Sequence, residues 1–186
     1  MDSIVNLIKK ELPPKRLAHT FGVAEAAEKL AQIYGADIKK CKIAALYHDI
    51  CKTKSVEELD SMITRYGLPN KYLGKPKLAH SKVGAEMISR ELGVLDEDII
   101  NAVKYHTTGR KNMSLIEKIV YLADMIEENR NFNGVDELRS LALVDIDRAC
   151  LKSLKDTISI LENQGKEIDE DTISAVKWFE KQINIL

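Results

Sequence analysis

Cysteine is scarce in this 186-residue chain, which has only Cys41, Cys51 and Cys150. The count is odd and no two of them have C-x-x-C spacing. That argues against a disulfide framework or a zinc ribbon, and it predicts a reduced, cytoplasmic protein. Proline and glycine are few as well, at four and nine residues, and they fall between periodic segments. Period-two alternation flanked by turn residues is missing, so no sheet is expected. No apolar stretch approaches the length of a membrane span. The first sixteen residues, MDSIVNLIKKELPPKR, are amphipathic and lack the apolar core of a signal peptide. A cationic excess is absent too, with 28 Lys and Arg against 29 Asp and Glu. That balance argues against nucleic acid or a membrane surface as partner, while leaving room for a small anion held by two or three local cations.

What is present is helical periodicity nearly from end to end. Hydrophobic residues make up 45% of the chain, enough for a core at this length. Helices are expected at 2–11, 14–34, 38–51, 55–66, 81–92, 96–106, 114–129, 136–142, 145–163 and 170–185. Asp37 precedes one helical start, and Ser55…Glu58 and Ser114…Glu117 have capping-box spacing. Gly35, Gly67 and Gly93 stand where C-caps belong. The fold class is therefore all-α, a bundle of about eight to ten helices without significant sheet. Residues 1–186 read as a single domain, with 145–186 a C-terminal helical pair packed on it. The segment 67–80, GLPNKYLGKPKLAH, reads as the longest irregular connection and as a lip ending at His80. Ile173, Val176, Trp178, Phe179, Ile183 and Ile185 could serve as core or as a homodimer contact.

Chemistry concentrates at the four histidines. His19, His48, His80 and His106 are each followed by a polar or acidic residue, and Asp124 interrupts an apolar helical run. By i±4 spacing, His19 shares a face with Val23 and Ala26, His48 follows Ala44 and Ala45, and His106 follows Ala102 and Val103. His48, Asp49 and Asp124 likewise tend inward. A carboxylate taken out of water without a partner costs several kcal/mol, so Asp49 and Asp124 need cations. Neutral imidazoles with carboxylates suit a borderline divalent ion such as iron, manganese or zinc. His48 and Asp49 can share one ion between them, and His19 and Asp124 would close its shell from two other helices. Any one of these residues alone reads as an ordinary core histidine or capping acid; the ordered set does not.

Arg16-Leu-Ala-His19-Thr20, Ala45-Leu-Tyr-His48-Asp49 and Tyr121-Leu-Ala-Asp124 resemble the ordered His…His-Asp…Asp signature of the HD-domain metal-dependent phosphohydrolases. The segments HDICK (48–52), AHSKVGAE (79–86), YHTTGR (105–110), YLADMIEENR (121–130) and FNGVDELR (132–139) are similar to those of the bacterial YqeK family, symmetrical bis(5'-nucleosyl)-tetraphosphatases. One departure stands at Glu128, where that family's pattern has proline. The resemblance implies His19, His48, Asp49 and Asp124 as ligands of a divalent metal. Iron is the expected ion, with manganese, cobalt, nickel and zinc as alternatives.

The same resemblance implies a nucleotide site at His19, Asp49, Ile50, Cys51, Lys52, His80, His106, Thr107, Asp124, Arg130 and Thr172, with catalytic work at Asp49, His80, His106 and Asp124. Lys52 lies one turn beyond His48, and Arg130 offers a planar fork suited to phosphate. The implied reaction cleaves diadenosine tetraphosphate to two ADP. Two other readings stay open. One is an HD phosphohydrolase for guanosine tetraphosphate, a deoxynucleotide or a mononucleotide. The other is a non-catalytic nucleotide-binding module. His80 and His106 could alternatively hold a second metal.

Overall fold

The computed structural model describes residues 1–183 and is helical throughout, with no strand among them. The helices are α1 (Asp2–Glu11), α2 (Pro14–Tyr34), α3 (Ile38–Tyr47), α4 (Val56–Tyr66), α5 (Pro76–Arg90), α6 (Glu97–Tyr105), α7 (Leu115–Ile126), α8 (Val135–Ala142), α9 (Ile146–Asn163) and α10 (Glu170–Ile183). A single 3-10 turn, Asn70–Tyr72, lies between α4 and α5. None is long and apolar enough to cross a membrane.

The expected caps form. Asp37 accepts from the Lys40 amide, and complete capping boxes close the starts of α4 and α7. Gly35 ends α2 at φ 68°, a left-handed conformation that costs glycine no Cβ clash. Gly93 is left-handed too, but it follows a helix already ended at Arg90 with Glu91 as its cap.

Three helix boundaries differ from the sequence expectation by three residues or more, and each difference shapes the site. Helix α3 stops at Tyr47 rather than 51. The His48 ring takes the Ala45 carbonyl through Nδ1 at 2.6 Å, and the chain continues as tight turns with Ile50 N–H on Tyr47 O and Lys52 N–H on Asp49 O. Helix α5 begins at Pro76 rather than 81, because proline at the first helical position gives up an N–H that would have no partner there. The lip is therefore shorter than expected, and His80 lies within a helix. Helix α7 stops at Ile126 rather than 129, and Glu127 turns extended at ψ 157°. No proline is needed for this turn. The Arg139 guanidinium on α8 donates to the carbonyls of Ile126, Glu127 and Arg130 at 2.8–3.0 Å and fixes the path.

Helix α7 is the axis of the bundle and packs on α2, α3, α6, α8 and α9. Its Ile119, Val120, Leu122 and Ala123 have no exposed surface. Burial of each large aliphatic among them stabilises the fold by about 1.5–3 kcal/mol. Helices α2 and α3 carry buried Ala24, Ala27, Ala31, Cys41, Ala44 and Ala45, small side chains that let two backbones approach. All three cysteines are buried and unpaired with one another. Burial pushes the thiols of Cys41 and Cys51 up to about 12, which leaves them inert. In α10, Phe179 and Ala175 are fully buried, Val176, Trp178 and Ile183 are half-buried, and Ile173 is exposed. Most of that apolar set is core. Ile185 lies outside the described residues.

Candidate metal centre

The bundle brings all four histidines and both aspartates to one place. His19 comes from the second turn of α2, His48 and Asp49 from the turn after α3, His80 from α5, His106 from the cap of α6 and Asp124 from α7. In every histidine Nδ1 faces an oxygen acceptor. For His48 it is Ala45 O at 2.6 Å, for His106 Val103 O at 2.8 Å, and for His80 Pro76 O at 3.1 Å. These carbonyls select the Nδ1–H tautomer and turn each Nε2 lone pair toward the centre. His19 differs, because its Nδ1 meets a carboxylate, Glu127 Oε1, at 3.2 Å.

The inward atoms form two overlapping clusters. His19 Nε2, His48 Nε2 and an Asp124 oxygen lie within 4.8 Å of one another, as do ligand atoms of His48, Asp49 and His106. His19 Nε2 is 3.1 Å from Asp124 Oδ1, and His48 Nε2 is 3.6 Å from Asp49 Oδ2. Yet His19 Nε2, His48 Nε2 and Asp49 Oδ1 are buried atoms with no hydrogen-bond partner. Short contacts that miss hydrogen-bond alignment, between atoms that carry lone pairs, are what a shared cation requires. The donor set of imidazoles and carboxylates fits a divalent metal.

Charge supports that reading. Burial alone would protonate Asp49, but His48 beside it, with His106 and His80, holds the carboxyl far below the usual carboxylate range. Asp124 is also held low against its burial, by His19, His48 and Arg130. Burial works to keep the His48 ring neutral, but Asp49 and Asp124 outweigh it and raise its pKa. Burial prevails at His80, which is lowered to about 4 despite Asp49, and at His106, which is also lowered. Both rings are neutral around pH 7.

Asp49 divides the cluster. Its Oδ1 faces His80 Nε2 at 3.2 Å, with His106 Nε2 and Lys52 Nζ at 3.6 Å. Its Oδ2 faces Arg16 at 3.2 Å, His48 at 3.6 Å and His19 at 3.9 Å. On the first flank His80 Nε2 lies 3.2 Å from His106 Nε2 and 3.1 Å from Lys52 Nζ, and Thr107 Oγ1 lies 3.2 Å from His106 Nε2. Beyond them the Thr172 hydroxyl donates to Thr108 O at 2.9 Å, tying the start of α10 to this flank. Arg130 lies on the opposite side and donates to both the carbonyl and the carboxylate of Asp124. Ile50 and Cys51 are brought near, but their side chains are buried, and Cys51 Sγ–H points at Met87 Sδ. Only their backbone could meet a ligand.

Three contributors were not singled out from the sequence. Glu127 is 2% exposed; besides His19 it accepts from the Asn129 amide at 2.8 Å. Gly22 makes room for it, since a Cβ there would lie 2.7 Å from Glu127 Oε2. The signal was available, because glycine inside a helix marks a close approach. Arg16 braces Asp49 from α2.

The HD domain family matches residues 16–129 of the chain. The symmetrical bis(5'-nucleosyl)-tetraphosphatase of Bacillus subtilis is 44% identical over 172 residues, 92% of each chain. That of Halalkalibacterium halodurans is 40% identical over 171 residues, 91% of each chain. A crystal structure of a predicted HD superfamily hydrolase involved in NAD metabolism, from Clostridium acetobutylicum, matches with TM-score 0.93 at 38% identity, covering 97% of each chain.

Proposed function

This chain belongs to the HD-domain family, in the company of the symmetrical bis(5'-nucleosyl)-tetraphosphatases, and from that premise we propose that it hydrolyses diadenosine tetraphosphate at its central anhydride to give two ADP. The observation that carries the chemistry is the convergence of buried, unpartnered acceptor atoms from His19, His48 and Asp49 beside the Asp124 carboxylate. These four residues would hold one divalent ion, iron by the resemblance of their motifs. When bound, such an ion supplies Lewis acidity toward a phosphoryl oxygen and a water acidified toward neutrality.

The rest is the work of this chain's own side chains. Asp49 Oδ1, lacking a hydrogen-bond partner, is placed to accept a proton from the attacking water. Lys52 and Arg130 neutralise phosphate oxygens on either side of Asp49, Arg130 with a planar fork. His80 and His106, neutral and 3.2 Å apart at Nε2, take up a proton as anionic phosphate arrives and return it to the departing ADP. Thr107 and Thr172 lie where the nucleoside end of the substrate would rest. We read the chain as one HD-type domain, with α9 and α10 as a C-terminal helical pair packed on the preceding helices.

The test is product analysis with a nucleotide panel and elemental analysis of the purified protein. Release of two ADP per diadenosine tetraphosphate, with stoichiometric metal, is the expected result. Asp124→Ala should lose metal and turnover together. A protein that keeps full metal content and activity without Asp124 would remove that residue from the ligand set. Cleavage of guanosine tetraphosphate in preference to the dinucleotide would replace the substrate.

A further inference from the structure

A cavity of about 560 Å³ opens beside the cluster on the Asp49 Oδ2 flank, lined by Lys15, Arg16, Ala18, His19, Glu127, Asn129 and Arg130. It is distinct from the flank of Lys52, His80, His106, Thr107 and Thr172. Three of its seven lining residues are cations. Its one carboxylate, Glu127, is turned to His19 and Asn129 and is 2% exposed. Arg16 is held by a single 3.2 Å hydrogen bond to Asp49, and its side chain is 40% exposed, so its remaining donors face the opening. Lys15 is exposed and makes no ion pair among the described residues. Arg130 keeps 35% of its side chain exposed at the same opening.

We propose that this cavity is a second nucleotide subsite, which seats the distal nucleoside diphosphate half of a dinucleoside polyphosphate while the first half lies on the Lys52–Thr172 flank. The inference rests on the hydrolase reading above and deepens it. Central cleavage of a symmetrical substrate leaves two phosphates on each side of the scissile bond, so charge must be met on both sides of the cluster. Asp49 is the divider: one oxygen looks toward Lys52 and the histidine pair, the other toward Arg16 and His19. Phosphates leaving the centre past His19 run directly onto Arg16, Lys15 and Arg130, whose donors suit phosphate oxygens.

Another open surface, the lip between α4 and α5, is already neutralised. Lys71 pairs with Glu170 at 3.5 Å and Lys75 with Glu167 at 2.5 Å. A polyanion would have to displace acidic residues there. In the cavity Lys15 has no acidic partner among the described residues, and Arg16 and Arg130, though paired with Asp49 and Asp124, keep 40% and 35% of their side chains exposed.

Lys15→Glu is the sharpest probe, because Lys15 touches none of the metal-ligand side chains. In the metal-loaded enzyme, KM for diadenosine tetraphosphate should rise about five-fold or more, with metal content unchanged and with a weaker dependence of KM on salt. Wild type should bind two ADP per chain, one tightly and one weakly, and Lys15→Glu should lose only the weak one. Arg16→Gln should act in the same direction. A KM within two-fold of wild type in both variants would overturn the subsite. So would parallel loss of the tight ADP, which would put the first half in the cavity. Should wild type fail to cleave the dinucleotide, the hydrolase reading falls. The ADP stoichiometry then decides the subsite alone: one ADP in wild type and variant alike rejects it, and two with loss of one supports it.

Discussion

His19 is the one histidine of the centre whose outer nitrogen rests on a carboxylate from a distant part of the chain, the turn after α7, where the other three rest on carbonyls of their own chain segments. A carboxylate behind a ligating imidazole fixes the ring and raises its basicity, and loss of such a partner weakens metal binding about 10–100-fold. Glu127→Gln keeps a hydrogen-bond acceptor and removes the charge. It should weaken metal affinity by about ten-fold while leaving the fold intact, measured by competition with a chelator. Gly22→Ala should do the same by a different route, since the new methyl would push Glu127 off His19. In a helix that change otherwise favours stability by up to about 1 kcal/mol. Affinities equal to wild type in both variants would reduce Glu127 to a capping residue of the 127–130 turn.

Besides the buried Ala175 and Phe179, two polar ties seat the start of helix α10. One is the Thr172 hydroxyl on Thr108 O; the other is Lys82 of α5, 1% exposed, which reaches Asp171 at 2.9 Å with its ammonium 4.2 Å from the Tyr105 ring centroid. Burial lowers the Lys82 pKa, and Asp171 opposes that shift. Removing Asp171 strands a buried cation, whereas replacing Lys82 with an apolar chain of like length leaves a carboxylate that already reaches water. Asp171→Ala should therefore cost about 2–3 kcal/mol in urea unfolding, and Lys82→Met less than about 1.5 kcal/mol. Equal losses would mean that packing, not the ion pair, seats α10. The same variants should weaken nucleotide binding on the Thr172 flank, because that flank is built on the seat of this helix.

At the scale of the whole molecule, six ligand-type side chains from five helical segments meet in one buried cluster, and the unpartnered acceptors there repel one another until a cation joins them. Metal binding should thus stabilise the fold as a unit. At a hundred-fold excess over its dissociation constant the gain is about 2.7 kcal/mol, or roughly 5–10 °C in Tm for a chain of this size. Chelation followed by calorimetry measures it; an unchanged Tm on metal return would mean that the ion is not held by these elements. Much of this molecule is determined by local sequence. Capping boxes, i±4 periodicity and the paucity of glycine and proline specify most helices, and inward-facing polar residues in apolar surroundings mark His19, His48, Asp49, His106 and Asp124, because helical phase alone decides which way a side chain points. Tertiary structure decided the rest. The early ends of α3 and α7 depend on a ring and a guanidinium taking carbonyls that a helix would otherwise use. The Glu127–His19 contact joins residues 108 apart. The cation-lined cavity exists only where α2 meets the turn after α7, and no local pattern encodes a meeting of two surfaces that the chain brings together only when its core closes.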